Sequence, residues 1–420
     1  MAKTAFLVAA LGLVAACSSA GATPGEGANG GPGAPLEVEK AASSLARNDA
    51  PVVADAAARA LGDGNRSFAF DMNRTLRASE PTENAFFSPY SISIALAMTY
   101  AGARGTTATE IASTLHFTLP QEELHPAFNA VDLAIGRTGT VKAANSIWGS
   151  PTLAFETSFL DTLATSYGAG VNLVDFGKPD AAAATINRWV SDRTNALIPS
   201  VLSADALRAA RFVLVNALYF KDDWRLPFTK EATSDAPFHA RTGDVTVPMM
   251  HAEQVVDYAD GAGYKAVRLP YKSGVSFVAV LPDDLAAFET SLDATRWQAV
   301  LGAMASVNVD IALPKLKLDR HVSLVAALKR LGMTSAFSSD ADLAGIATEE
   351  LEILDVIHQA VVAVDEKGTE AAAATAVVGG VTSAMEPPKH SITLDRPFLF
   401  AIQDDTTGTI LFLGHVEKPQ

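Results

Sequence analysis

Asp365-Glu366-Lys367-Gly368-Thr369-Glu370-Ala371-Ala372-Ala373-Ala374-Thr375 is followed by a glycine-containing stretch, residues 376–384, and then by Pro387-Pro388. Taken every second residue, the run reads Thr369, Ala371, Ala373, Thr375, Val377, all small or β-branched. In a strand these positions share one face. From Gly368 to Val378 there is no proline, no aromatic and one charge, Glu370, on the opposite parity. The segment therefore suits two states, an exposed loop and a buried strand. Inserting roughly a dozen residues as a central strand makes about two dozen ladder bonds, each worth about 0.5–1.5 kcal/mol net. Fixing the backbone costs about 1–2 kcal/mol per residue. The two terms nearly cancel, so single side chains decide the outcome. An overpacked inward residue costs about 1–3 kcal/mol, and a mid-strand proline about 3 kcal/mol or more. The competing reading is an alanine-rich helix, because Glu and Ala are good helix formers.

Other blocks, in chain order, bear on that choice. Asn84-Ala85-Phe86-Phe87-Ser88-Pro89-Tyr90-Ser91-Ile92 continues into Ala95-Leu96-Ala97-Met98, Gly102 to Thr107, and Glu110-Ile111. Phe212 to Lys221 is followed by Trp224 and Pro227-Phe228. Leu313-Pro314-Lys315, Leu328 to Gly332 and Ala341-Asp342-Leu343 come next, and His358-Gln359-Ala360 leads into the opening run. Asp395-Arg396-Pro397-Phe398-Leu399-Phe400 and Gly408 to Gly414 close the chain. Any one block is weak, but five in order are specific. Across about residues 60 to 418 the sequence resembles the serpins, with the opening run as the hinge of their reactive-centre loop. The resemblance implies an α+β serpin fold. Helices pack around a large central, mostly antiparallel sheet plus two smaller sheets, and the loop is exposed.

The chain has 420 residues, with no internal linker at which to cut it and 49% hydrophobic residues, ample for one large core. A formal charge of −15, with no run of basic residues, argues against nucleic acid or heparin-like polyanions as partners. Residues 1–35 read differently. Lys3 precedes an apolar stretch, Ala5 to Ala16, too short to span a membrane as a helix. Val14-Ala15-Ala16-Cys17 resembles a bacterial lipobox, which implies a signal peptide over 1–16 and lipidation of Cys17, the only cysteine. An incidental cysteine after an ordinary secretory signal is the alternative. Ser18 at the next position implies the outer membrane. Ser18 to Pro35 is nearly all Gly, Ala, Pro and Ser, a flexible tether. The expected organisation is 1–16 signal peptide, 17–59 lipidated cysteine, tether and lead-in, and 60–420 the serpin domain. An exported monomer in the cell envelope, touching membrane only through its lipid, or else extracellular, is expected.

Local signals support mixed structure. Ser88 before Pro89 reads as a helix cap, and Thr107-x-x-Glu110 as a capping box. Phe155 to Tyr167 and Ala181 to Thr194 have helical spacing. Val213 to Phe220, Val275 to Leu281, Val307 to Leu313, Val361 to Val364 and Ile410 to Leu413 read as buried strands. Gly261-Ala262-Gly263 precedes an extended run and reads as a hairpin turn.

The resemblance assigns roles residue by residue. Ser88, Ser91, Asn216 and His358 match the polar cluster, or shutter, beneath the central sheet where its strands part. A plain helix cap is the structural alternative for Ser88, and a satisfied core histidine for His358. Trp224 matches the breach at the top of the sheet, where Lys315 and Glu366 match a pair holding the hinge. The hinge is Glu366, Gly368, Thr369, Glu370, Ala371, Ala372, Ala373, Ala374 and Thr375. Family spacing from Gly368 puts the scissile bond at Thr382-Ser383, within a window of Val381, Ala384 and Met385. No Lys or Arg lies between Lys367 and Lys389, so a protease needing a basic side chain is a poor match. Elastase-like or subtilisin-like serine endopeptidases, or cysteine endopeptidases, with small apolar pockets are the expected partners. The implied activity is suicide inhibition, in which an acyl-enzyme is trapped as the cut loop inserts. Such a protein is not an enzyme and needs no cofactor or metal. A non-inhibitory serpin that binds a ligand is the alternative; bulky or charged hinge residues would favour it, and alanines stand there instead. Gly379-Gly380 departs from the family pattern by loosening the stretch before the bait, and a threonine before the cut is uncommon.

Overall fold

The strand Phe212–Phe220, FVLVNALYF, is buried at all nine positions, because layers cover both of its faces. Phe212, Leu214, Leu218 and Phe220 enter the main core. Val213, Val215 and Ala217 enter a second cluster with Ile186 and Trp189 of the helix Pro179–Arg193. On the main-core side lies the helix Pro89–Tyr100, PYSISIALAMTY, apolar nearly all round and buried along its length, as expected of a helix enclosed in a core.

The structure, a computed structural model, describes residues 38–208, 210–369 and 388–419. Among these, one sheet has eight strands. Its order is Lys40–Ala41, Val171–Leu173, Val141–Gly149, Phe212–Phe220, Val356–Val364, Gly368–Thr369 and Asp222–Asp223, with Leu316–Ser323 on the far side of Val356–Val364. The Val356 strand runs parallel to the Phe212 strand, with His358 opposite Asn216. The other sheet has nine strands. The two smaller sheets implied by the resemblance are continuous here, because the 19-residue strand Gly243–Gly261 joins them. It pairs with Ser234–Ala240 and Ala305–Pro314 along most of its length, and with Tyr264–Pro270 at its end. The turn at Gly261 to Gly263 is the expected hairpin, with Gly263 at φ +79°.

Most expected elements are present: the helix Thr157–Tyr167 starts two residues later than expected, Pro179–Arg193 starts two residues earlier and ends one sooner, and the strands Val275–Pro282, Ala305–Pro314, Val356–Val364 and Ile410–Val416 are longer. Ser88 does cap its helix, accepting the Ser91 N–H at 3.1 Å. The capping box at Thr107 and Glu110 is a correction. Its helix starts earlier, at Gly105, so Thr107 lies inside the first turn. Its hydroxyl accepts the Asp342 N–H, and Glu110 accepts the N–H groups of Thr334 and Ser335. The pair staples this helix to the segment 334–342. Residues 38–54, within the expected lead-in, pair into the sheet at Lys40–Ala41, and Arg47 ion-pairs with Asp132 at 2.6 Å. The first helix starts at Asp55. Cys17 and the rest of residues 1–37 lie outside the described residues. No helix among the described residues is long and apolar enough to cross a membrane.

Candidate functional site: a shutter and a hinge seat on one sheet

Three polar residues form a row across neighbouring strands. Asn145 lies opposite Asn216, and Asn216 opposite His358. Each shares its strand parity with main-core residues: Ile147, Leu214 and Val356 respectively. The row therefore faces the start of the helix Pro89–Tyr100, where Ser88 and Ser91 wait. The Ser88 N–H donates to His358 Nε2 at 3.1 Å. That nitrogen is thus unprotonated, and the ring proton on Nδ1 donates to Asn216 Oδ1. Asn216 Nδ2 in turn donates to the Ser91 carbonyl at 2.7 Å and to Asn145 Oδ1 at 2.6 Å. The Ser91 hydroxyl also donates to Asn145 Oδ1, at 2.8 Å. Ser88, Ser91, Asn216 and His358 are all 0% exposed. Burial, with a smaller contribution from His321, pushes the His358 pKa down to about 3, so the ring is neutral. The four shutter residues meet as expected. Asn145, half-buried in the strand Val141–Gly149, completes the set and was not anticipated; a single amide in a strand carries no local signature.

At the upper end of the same strands the hinge begins. Thr369 pairs with Val364 on one side, and Gly368–Thr369 pair with Asp222–Asp223 on the other. Gly368 and Thr369 of the hinge thus lie between the Val356 strand and the continuation of the Phe212 strand. Gly368 is required by close approach: a Cβ there would lie 2.1 Å from the Asp222 carbonyl oxygen. The Asp365 carboxylate accepts the N–H groups of Lys367 and Gly368, closing the turn before them.

The breach residues surround this turn. The Trp224 N–H donates to the Lys367 carbonyl at 2.7 Å and its indole N–H to the Asp365 carbonyl at 2.9 Å. The Phe228 N–H donates to the Glu366 carbonyl at 2.8 Å. Glu366 Oε1 takes Lys315 Nζ at 2.7 Å and the Thr233 hydroxyl at 2.8 Å. Partial burial works against the Glu366 charge, but the bonds from Lys315 and Thr233 outweigh it and hold the carboxyl below the ordinary range. Thr233 and Tyr271 are further members that sequence reasoning missed. Tyr271 stacks on Trp224 and puts its hydroxyl 2.6 Å from Thr369 Oγ1. Neither residue type nor spacing marks these two; only folding brings segments 233, 271 and 366–369 together. Glu370, Ala371, Ala372, Ala373, Ala374 and Thr375, and the bond window Val381, Thr382, Ser383, Ala384 and Met385, lie outside the described residues. No cluster of candidate metal ligands occurs among the described residues.

A family model described as "Serpin (serine protease inhibitor)" matches residues 63–419. The leukocyte elastase inhibitor of Homo sapiens is 37% identical over 379 residues, covering 86% of this chain and 99% of the relative. A crystal structure of Serpin48, described as a highly specific serpin in the insect Tenebrio molitor, superposes with a TM-score of 0.77 at 30% identity, covering 86% of this chain and 99% of that one. A crystal structure described as human thyroxine-binding globulin complexed with thyroine superposes with a TM-score of 0.79 at 29% identity, covering 87% of this chain and 100% of that one.

Proposed function

Because this chain belongs to the serpin family of serine protease inhibitors, we propose that it inhibits endopeptidases as a suicide substrate. The observation that carries the reading is the seat of Gly368–Thr369 between the two central strands. Continuing both registers residue by residue gives one answer. Thr375 falls opposite Asn216 on one side and opposite His358 on the other, which already face each other. The strands need only part sideways, with no slip along their length. One parallel pairing would become two antiparallel ones, and parallel pairing is slightly less stable per residue.

Cross-strand partners share a face, so Ala371, Ala373, Thr375 and Val377 would enter the main core. Small side chains there avoid the overpacking cost of about 1–3 kcal/mol. Thr375 would arrive at the shutter as the Asn216–His358 bond breaks, and its hydroxyl can replace either partner. That exchange matters because a buried polar group left unpaired costs about 1–3 kcal/mol.

The chemical sequence follows. The protease nucleophile attacks the Thr382 carbonyl, and the Thr382–Ser383 bond breaks with Ser383 leaving as an amine. The acyl-enzyme stays on the loop as the loop inserts, and its catalytic geometry is distorted before water can release it. The trap is kinetic, drawing on strain held in the uncut molecule. Val381, Thr382, Ala384 and Met385 suit shallow apolar pockets, as in elastase-like or subtilisin-like enzymes, and the likeness to leukocyte elastase inhibitor supports the same class. Lipidation of Cys17 would hold the inhibitor at the cell envelope on the 18–35 tether.

The second reading, a binding protein without inhibition, draws on the likeness to thyroxine-binding globulin and on Gly379-Gly380 beside the bait. One experiment separates the two. The protein is mixed with elastase and with subtilisin and resolved on denaturing gels with mass spectrometry. A stable covalent complex plus a released C-terminal peptide starting near Ser383 is expected. Clean cleavage without a complex, for both proteases, overturns the inhibitory reading, and a block of trypsin alone overturns the bond assignment.

A further inference from the structure

We propose that Tyr271 is a positioning residue whose hydroxyl holds the hinge seated in the central sheet, and so sets how promptly the cut loop inserts; this rests on the inhibitory reading above. Tyr271 is 2% exposed. Its ring stacks on Trp224 at 4.2 Å and 10°, and meets Phe220 edge-on at 5.0 Å. A short bridge ties the backbones of Trp224 and Tyr271 together. The ring is therefore held by packing, whatever its hydroxyl does. The hydroxyl lies 2.6 Å from Thr369 Oγ1, and Thr369 is 0% exposed. Among the described residues neither hydroxyl has another partner. Each is thus satisfied only while Thr369 sits in the sheet, and unseating the hinge strands a buried hydroxyl on Tyr271.

The next residues on the same turn complete the seat. Lys272 ion-pairs with Asp223 at 2.9 Å, and the Ser273 N–H and hydroxyl both donate to Asp222. The turn 271–273 therefore fixes the strand Asp222–Asp223 and the hinge residue paired to it. Because the seated register is the one that leads Thr375 to the shutter, the seated pair is a formed nucleus for insertion. Strand insertion then propagates from an existing contact and skips the costly first closure. A longer-lived nucleus gives the protease less time to deacylate.

The test uses the full-length protein as Tyr271→Phe, Thr369→Val and the double variant, read in two ways. Hydrogen exchange of segment 365–369 in the uncut protein reports seating. The ratio of free cleaved inhibitor to covalent complex reports timing. Each single variant is expected to raise both quantities roughly two- to tenfold, the factor of one neutral hydrogen bond. The double variant should be no worse than either single, because both remove one bond. Unchanged exchange in Tyr271→Phe, or effects that multiply in the double variant, overturn the seat. Changed exchange with an unchanged product ratio overturns the timing role. If the wild type traps no protease at all, the inhibitory reading fails, and the exchange arm still decides whether Tyr271 seats the hinge.

Discussion

His358 and Asn216 face each other across the central parallel strand pair, joined Nδ1 to Oδ1, while His358 Nε2 accepts the Ser88 N–H at 3.1 Å. One uncharged ring thus ties a strand to its neighbour and to the helix beneath. All of its bonding capacity is used, and it has no room for a second proton.

Acid should therefore loosen the uncut protein well above the carboxylate range. His358 is held at about 3 in the folded state by burial, against an ordinary value near 6.5 when unfolded. Between these limits the unfolded chain binds more protons, so stability is complete above about pH 6.5 and falls as pH drops toward about 3, by roughly 1.4 kcal/mol per unit from this group alone. Denaturant midpoints measured from pH 7.5 to 4 should show this slope. His358→Gln should lower stability at pH 7 by about 1–3 kcal/mol and flatten the slope. An equal slope in the variant would assign the acid sensitivity elsewhere.

Glu289 supplies a second, lower window. It is 1% exposed and meets His415 Nδ1 at 2.9 Å, Asn73 Nδ2 at 2.8 Å and the Arg77 guanidinium. Burial opposes its charge, but His415, Asn73 and Arg77 together hold its carboxyl below the ordinary carboxylate range. Its contribution is present above the unfolded value near 4.5 and lost as pH falls through its lower folded value. Glu289→Ala should cost about 1–3 kcal/mol, because it leaves the buried Asn73 amide and His415 Nδ1 without their partner and Arg77 with Glu417 alone. Chemical denaturation at pH 7 measures this directly; a loss below 1 kcal/mol would contradict it.

Ala373→Arg should turn an inhibitor into a substrate. Were the loop to continue the register of Gly368–Thr369 on insertion, Ala373 would enter the main core opposite Leu218 and Ala360, both 0% exposed. An isolated buried guanidinium costs several kcal/mol, so inserted product should fall at least about a hundredfold relative to cleaved product. The protease should still cut the bait. Undiminished covalent complex on a denaturing gel would rule out the register.

Gly368→Ala should unseat the hinge by steric force. A Cβ would meet the Asp222 carbonyl at 2.1 Å and Asp223 Cα at 2.7 Å, both backbone atoms. Overpacking of this kind costs about 1–3 kcal/mol, and exchange of segment 365–369 should accelerate as it does in Tyr271→Phe. Exchange no faster than in the wild type would show that the turn yields without cost.

Much of the fold was legible because it rests on one-dimensional patterns. The run Val213 to Phe220, apolar but for Asn216, announces a buried strand, Ser88-Pro89 announces a helix start, and the two-residue periodicity from Thr369 announces a segment that can enter a sheet. Family blocks in order added the shutter and breach positions, and Ser88, Ser91, Asn216 and His358 do converge. Tertiary structure alone decided which groups complete these clusters. Asn145, Thr233 and Tyr271 carry no local signature, since a hydrogen bond between residues 98 positions apart, as in Tyr271 and Thr369, leaves no trace in spacing. It alone decided that Thr107 and Glu110 staple a helix to a distant segment, because a carboxylate accepts whichever N–H groups the fold presents. The hinge composition was written in the chain; its register was not, because register belongs to the two flanking strands, Val356–Val364 and Asp222–Asp223, that only folding brings to its sides.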